Sequence, residues 1–221
     1  MRPLPRLLAL TDDRVAGMED LGVRSAAIAA AGPAVALVAR IPGGTIDQLA
    51  TLAARLMANA LPPMAAVLVT GRVDVALGVR ARGVILRGQD IEIAAARMIA
   101  RGTRGRTGHR GNAADLPIWI LRSVHSEDEA ARAIDEGADG VIAGPIWETA
   151  THPGHQPAGT AFLERIVSLG APTYAIGGVT PERAAAVRAA GGWGIAAISA
   201  VWDAPRPYLA AIELLEPWTA T

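Results

Sequence analysis

His125 lies in the run R-S-V-H-S, and three comparable runs follow it: G-P-I-W-E-T-A-T-H from Gly144, A-I-G-G-V-T from Ala175 and A-I-S-A from Ala197. Each closes a short apolar stretch and opens a helical one, which is how the active-site rim of a β/α barrel reads in sequence. An imidazole both accepts and donates a proton near neutral pH, so His125 is the candidate catalytic group. A structural histidine bonded to a neighbouring backbone group is the alternative. Gly177 and Gly178 close one run, and Ile198 and Ser199 another. Glycine lets the backbone approach an anion and present its N–H groups beside a helix N-terminus, so these four residues form a candidate phosphate site. Relief of crowding at a tight turn is the plainer explanation of the glycines. Arg122 and Ser123 could steer an anion, and Thr149 and Thr151 could donate hydroxyls from a loop folded over a ligand. His152 and His155 in that loop do not make a metal pair on spacing alone.

The first half of the chain offers Asp12 and Asp13, Arg40, Arg72 with Asp74, and Asp90. Separated carboxylates at strand ends could hold magnesium or position a base, and helix capping or an Arg72–Asp74 salt bridge would use the same residues structurally. Arg40, Arg72 and Arg122 are candidates for bidentate pairing with a substrate carboxylate.

Composition narrows the chemistry. All 21 basic residues are arginine, and cysteine is absent. Schiff-base lysines, Walker-A lysines, catalytic thiols and thiolate metal sites are therefore excluded. The 21 acidic residues balance the arginines, so no global field draws the chain to nucleic acid or to an anionic membrane, and any anion site must be local. Met1–Leu10 has no cleavage pattern, and no apolar stretch approaches the length needed to span a bilayer. A soluble cytoplasmic protein is expected.

These residues need elements to carry them. Apolar runs at Leu7–Thr11, Ala34–Arg40, Ala65–Thr70, Gly83–Arg87, Ile118–Val124, Gly140–Pro145, Thr173–Gly178 and Gly194–Ala200 predict eight strands. Helical periodicity is clearest in Thr45–Ala60, Ile91–Ala100, Ser126–Glu136, Pro181–Ala190 and Arg206–Glu213. Ser126 with Glu129 fits a capping box, and Thr180–Pro181 supplies an N-cap with proline at the first helical position. Continuous apolar strands alternating with helices predict a parallel sheet, and eight units predict a (β/α)8 TIM barrel spanning residues 1–221 as one domain. An open doubly wound sheet is the alternative. The arginine- and glycine-rich stretch Arg101–Pro117, which contains His109, reads as a solvated loop on the face opposite the active site.

Taken in order, L-A-L-T-D-D, V-T-G-R-V-D-V-A-L, R-S-V-H-S-E-D-E-A, E-G-A-D-G-V-I-A-G-P-I-W-E-T, Y-A-I-G-G-V-T-P-E and A-A-I-S-A-V-W resemble the thiamine phosphate synthase and thiazole tautomerase superfamily. The resemblance implies the same barrel. G-R-V-D and R-S-V-H-S resemble the tautomerase branch, which implies an isomerase that moves a proton on a carboxylated thiazole phosphate through His125, with no cofactor. The other branch implies a magnesium-dependent transferase joining a pyrimidine diphosphate to thiazole phosphate, with Asp90 as the metal ligand. Its pattern has a Gln-x-Arg-x-x-Lys-like stretch after strand two, Asn-Asp after strand three and a Thr-x-Thr-Lys loop after strand six. Here V-A-R-I-P-G, Thr70-Gly71 and His152 stand at those places, which favours the isomerase. A barrel that binds a thiamine-related metabolite without catalysis is a third possibility. Small thiazole phosphates are the expected partners. A homo-oligomer is open, with Trp193, Trp202 and Trp218 available to a core or an interface.

Overall fold

Strands that must bury both faces, one inside a barrel and one under helices, explain the unbroken aliphatic runs. The computed structural model describes residues 3–60, 65–104, 118–149 and 156–219. Its strands are β1 (Leu7–Leu10), β2 (Val35–Ala39), β3 (Ala66–Thr70), β4 (Gly83–Leu86), β5 (Trp119–Val124), β6 (Gly140–Ala143), β7 (Thr173–Ile176) and β8 (Gly194–Ala197). Each pairs in parallel with its neighbour in sequence, and β1 closes on β8 through Leu7 opposite Ile195 and Ala9 opposite Ala197. The fold is a (β/α)8 TIM barrel. Between the strands run α1 (Asp13–Ala16), α2 (Leu21–Ala29), α3 (Ile46–Ala60), α4 (Val73–Gly78), α5 (Ile93–Arg104), α6 (Glu127–Asp135), α7 (Gly159–Ser168) and α8 (Pro181–Ala189). After β8 come α9 (Ser199–Trp202) and α10 (Pro207–Thr219). No helix among the described residues is long and apolar enough to cross a membrane.

Side chains two apart share a face of a strand. Leu8, Val38, Leu68, Ile85, Leu121 and Ile142 fill the barrel, while Leu7, Leu37, Val67, Val84 and Ile120 pack under the helices. The same parity carries Arg40, Thr70, Arg87 and Ser123 to the inner side of the barrel mouth. It places Arg122 with Ile120 and Val124 on the helix-facing side. The other end of the barrel is plugged. There the Tyr174 hydroxyl and Trp193 Nε1 both donate to the Pro5 carbonyl, at 2.7 and 3.1 Å, and the Arg6 guanidinium stacks 3.5 Å over the Trp193 ring. Trp202 is fully buried and Trp218 Nε1 donates to Gly192 O at 3.2 Å, so all three C-terminal tryptophans are used within the chain.

Three of the helices that the sequence makes plain carry side-chain caps. Thr45 and Gln48 bond each other's amides at 3.2 and 2.8 Å, Ser126 accepts from the Glu129 amide at 3.2 Å, and Thr180 accepts from the Arg183 amide at 3.4 Å. By contrast α2, α4, α7 and α9 start without a side-chain cap, so nothing in the sequence marks them. Predicted β2 and β4 overrun their tops because the inward Arg40 and Arg87 leave the ladder to line the mouth. Residues Arg101–Arg104 continue α5 rather than opening a loop, and 105–117, with His109, lie outside the described residues. Helix α10 runs past Glu213 because Pro217 sits in its last turn, where only one carbonyl loses its partner.

Candidate active site

Two parts of the barrel mouth differ in kind. The first is built on the tops of β2, β3 and β4. The Thr11 hydroxyl donates to Arg40 O at 2.6 Å and accepts from Arg40 N at 2.9 Å, which fixes the backbone that aims Arg40. Asp13 accepts from Gly43 N at 3.0 Å and ties down the following loop. Asp12 caps α1 by accepting from Val15 N at 2.8 Å, so the capping role falls to Asp12 rather than Asp13. A cavity of about 190 Å³ opens there, lined on its polar side by Arg40, Thr45, Thr70, Arg72 and Arg87. Arg40 Nη1 and Thr70 Oγ1 are buried in it without a hydrogen-bond partner among the described residues. Burial lowers the Arg40 pKa and the neighbouring Arg87 lowers it further, against the pull of Asp12 and Asp13. A half-buried cation with an unpaired donor is costly unless something anionic meets it.

Arg72 lines the same cavity, but its guanidinium is held by Asp74, with Nε 2.8 Å from Oδ1. That pairing raises the Arg72 pKa and lowers that of Asp74, as the salt-bridge alternative anticipates. Asp90, expected to receive magnesium in a synthase, is instead taken by Arg87. Its Oδ2 accepts from Arg87 N at 2.7 Å and from Nε at 3.1 Å, and its Oδ1 accepts from Nη2 at 2.9 Å. Burial pushes the Asp90 carboxyl up, but the bonds from Arg87 outweigh it and hold the group below the usual carboxylate range. No group of three His, Cys, Asp or Glu side chains placed to hold a metal exists among the described residues. With Thr70-Gly71 beside it and both oxygens bonded to a guanidinium, Asp90 does not offer the open oxygen set a divalent cation requires.

The second part is made of backbone. Gly177 and Gly178 follow β7 with φ of 95° and 60°, conformations that L side chains rarely adopt. Their amides and that of Ser199 donate to no hydrogen-bond acceptor among the described residues. Sterics impose the glycines as well. A Cβ on Gly177 would lie 2.6 Å from Pro145 Cβ, and one on Gly178 would strike Glu148 O and lie 2.9 Å from Trp147 Cβ. Arg183 locks this contact, donating to Gly178 O at 2.5 Å with its guanidinium 5.3 Å from the Trp147 ring centroid. Ile198 is half-buried beside Ser199, which opens α9.

The other expected site residues are scattered. His125 is exposed, its Nδ1 donates to Gly144 O at 2.7 Å, and its amide donates to Glu129 Oε2 at 2.7 Å. This is the structural arrangement that stood as the alternative for His125, and it leaves only Nε2 for other chemistry. Arg122 lies on the helix-facing side of β5 and donates to Ile91 O at 3.2 Å, beside Asp90, whose pKa its charge helps to lower. Ser123 faces inward, Thr149 is half-buried in the loop after β6, and Thr151, His152 and His155 lie outside the described residues. Arg87 and Thr70 were missed as site residues. The signal was present in the inward parity of Gly83, Ile85 and Arg87, and in the three-residue spacing from Arg87 to Asp90.

Residues 7–201 match the family model described as thiamine monophosphate synthase. The chain belongs to this family. A thiamine-phosphate synthase of Salinispora tropica is 33% identical over 99% of this chain and 100% of its own length. One from Synechocystis sp. is 36% identical over 67% of this chain, and the match spans 39% of that longer protein. The thiamine phosphate pyrophosphorylase structure from Pyrococcus furiosus is 32% identical, superimposes with a TM-score of 0.76, and is matched over 96% of this chain and 94% of its own. These relatives overturn the isomerase reading, because the family members this chain is similar to are named for a transferase. The two stretches that favoured the isomerase do other work: Arg72 and Asp74 of G-R-V-D hold each other, and His125 of R-S-V-H-S bonds the Gly144 carbonyl.

Proposed function

We propose that this chain is a thiamine-phosphate synthase, joining a pyrimidine diphosphate to a thiazole phosphate. The full-length similarity to the Salinispora tropica synthase carries this reading. The two anion-binding devices at the mouth support it from physics. The substrates together bring three phosphoryl groups and the product keeps one, so inorganic diphosphate must leave. The reaction therefore needs one place for a phosphate that stays and another for a diphosphate that departs.

In this reading the amides of Gly177, Gly178 and Ser199, with Ile198 beside them, hold the thiazole phosphate. Backbone donors set in a rigid turn suit a group whose charge does not change. The diphosphate lies across the mouth against Arg40, Thr70, Arg72 and Arg87, where guanidinium donors stabilise the charge that builds on the leaving group. Ser123, on the inner face between the two, lines the path of the transferred pyrimidine. The cytoplasmic placement and the small-molecule partners belong to the same reading.

Incubating the purified protein with both substrates, in parallel with and without magnesium, tests it. Thiamine phosphate and inorganic diphosphate are expected in equal amounts. Absence of both products under either condition would refute the synthase, and binding of either substrate without turnover would favour the non-catalytic barrel.

A further inference from the structure

The charge pattern around β4 departs from what a magnesium-dependent transferase needs, and the departure is built rather than accidental. Asp90 has a side chain only 9% exposed, and a guanidinium that is itself 45% exposed covers it. Gly71 makes room for the pair, since a Cβ there would lie 3.0 Å from Arg87 Nη2 and 3.3 Å from Asp90 Oδ2. A cation entering to bind Asp90 would have to displace a bidentate guanidinium. It would then sit beside the displaced Arg87 guanidinium, a repulsion that water in a half-enclosed cavity screens poorly.

Arg87 has five N–H donors, and the Asp90 carboxylate engages two of them. Three remain for a ligand in the cavity that Arg87 lines. Across that cavity Arg40 Nη1 and Thr70 Oγ1 are buried without partners among the described residues, and Thr70 is only 9% exposed. These groups share one need, an acceptor rich in oxygen lone pairs and negative charge.

We infer that Arg87 takes the place of a divalent cation: pinned by Asp90, it joins Arg40 and Thr70 in binding a phosphate or diphosphate group directly, without metal. The claim rests on the synthase reading only for the identity of the diphosphate's carrier. The binding itself is tested with inorganic diphosphate alone. An arginine cannot lose its charge at accessible pH and cannot be removed by a chelator, so the site is permanently loaded.

Titration calorimetry with inorganic diphosphate, on protein freed of divalent ions in EDTA and again with magnesium, decides the matter. Wild type is expected to bind in EDTA, and magnesium should not tighten binding. Binding seen only with magnesium would overturn the inference. Arg87→Gln is expected to lose at least tenfold in EDTA and, with Asp90 uncovered, to recover part of the loss when magnesium is added. Unchanged affinity of a folded Arg87→Gln would also overturn it. Product formation only with magnesium would refute metal independence and leave the synthase reading standing, whereas diphosphate binding in EDTA without product under any condition would refute the synthase and uphold the site.

Discussion

The two parts of the mouth to which the synthase reading assigns anions differ in material. On β2 to β4 the donors are arginine side chains, charged and partly screened by solvent. After β7 and β8 they are backbone amides, those after β7 held by two glycines at positive φ in tight contact with Pro145, Trp147 and Glu148. The difference teaches where each part can fail. A side-chain site fails by loss of charge with the fold intact, and a backbone site fails by sterics that reach the fold itself.

The largest effect should come from Gly178→Ala. Its Cβ would meet Glu148 O in a backbone conformation that disfavours alanine. Strain and overlap together should cost about 2–4 kcal/mol, read from denaturant unfolding. Thiazole phosphate binding should fall with it, while the folded protein keeps its diphosphate affinity within about threefold. Arg40→Gln should do the reverse. Losing a charge-assisted contact worth about 1.5–3 kcal/mol weakens diphosphate binding by roughly 10- to 150-fold. Melting temperature should hold or rise, since the substitution removes a half-buried cation with an unpartnered donor. A fall in stability equal to the loss of binding would break the contrast.

Salt should separate the two parts more gently. Raising ionic strength from 0.05 to 0.3 M should weaken diphosphate binding several-fold and thiazole phosphate binding less, in calorimetric titrations at matched pH. The smallest effect concerns pH. The Asp90 carboxyl is held below its ordinary value, so its stabilising contribution is present above the unfolded pKa near 3.9 and is lost as pH falls through the lower folded value. Asp90→Asn should therefore flatten the acid limb of the stability profile by less than about 1 kcal/mol, because solvent reaches Arg87.

Much of this molecule is legible in its sequence. Aliphatic runs with buried faces announced all eight strands, and Ser126 and Thr180 announced the helices they cap. Gly177 and Gly178 stood out because backbone chemistry leaves a mark in residue type. Arg87 did not, because an arginine at a strand end looks like a solvated surface residue until the barrel's inner parity is imposed on it. Arg122 failed the other way, standing beside a promising histidine in sequence yet facing the helices in space. The isomerase expectation rested on two short motifs, G-R-V-D and R-S-V-H-S, and on three departures from the synthase pattern. The similarity along the whole chain, to proteins named for the transferase, overturns it.

In the proposed synthase the mouth holds two anions at once, by two separate devices. Titrating inorganic diphosphate into protein already saturated with thiazole phosphate, in one calorimeter cell, tests it most directly. One diphosphate should bind per chain, with an affinity within a few-fold of that without thiazole phosphate. Displacement of one ligand by the other, showing a single shared site, would contradict the account.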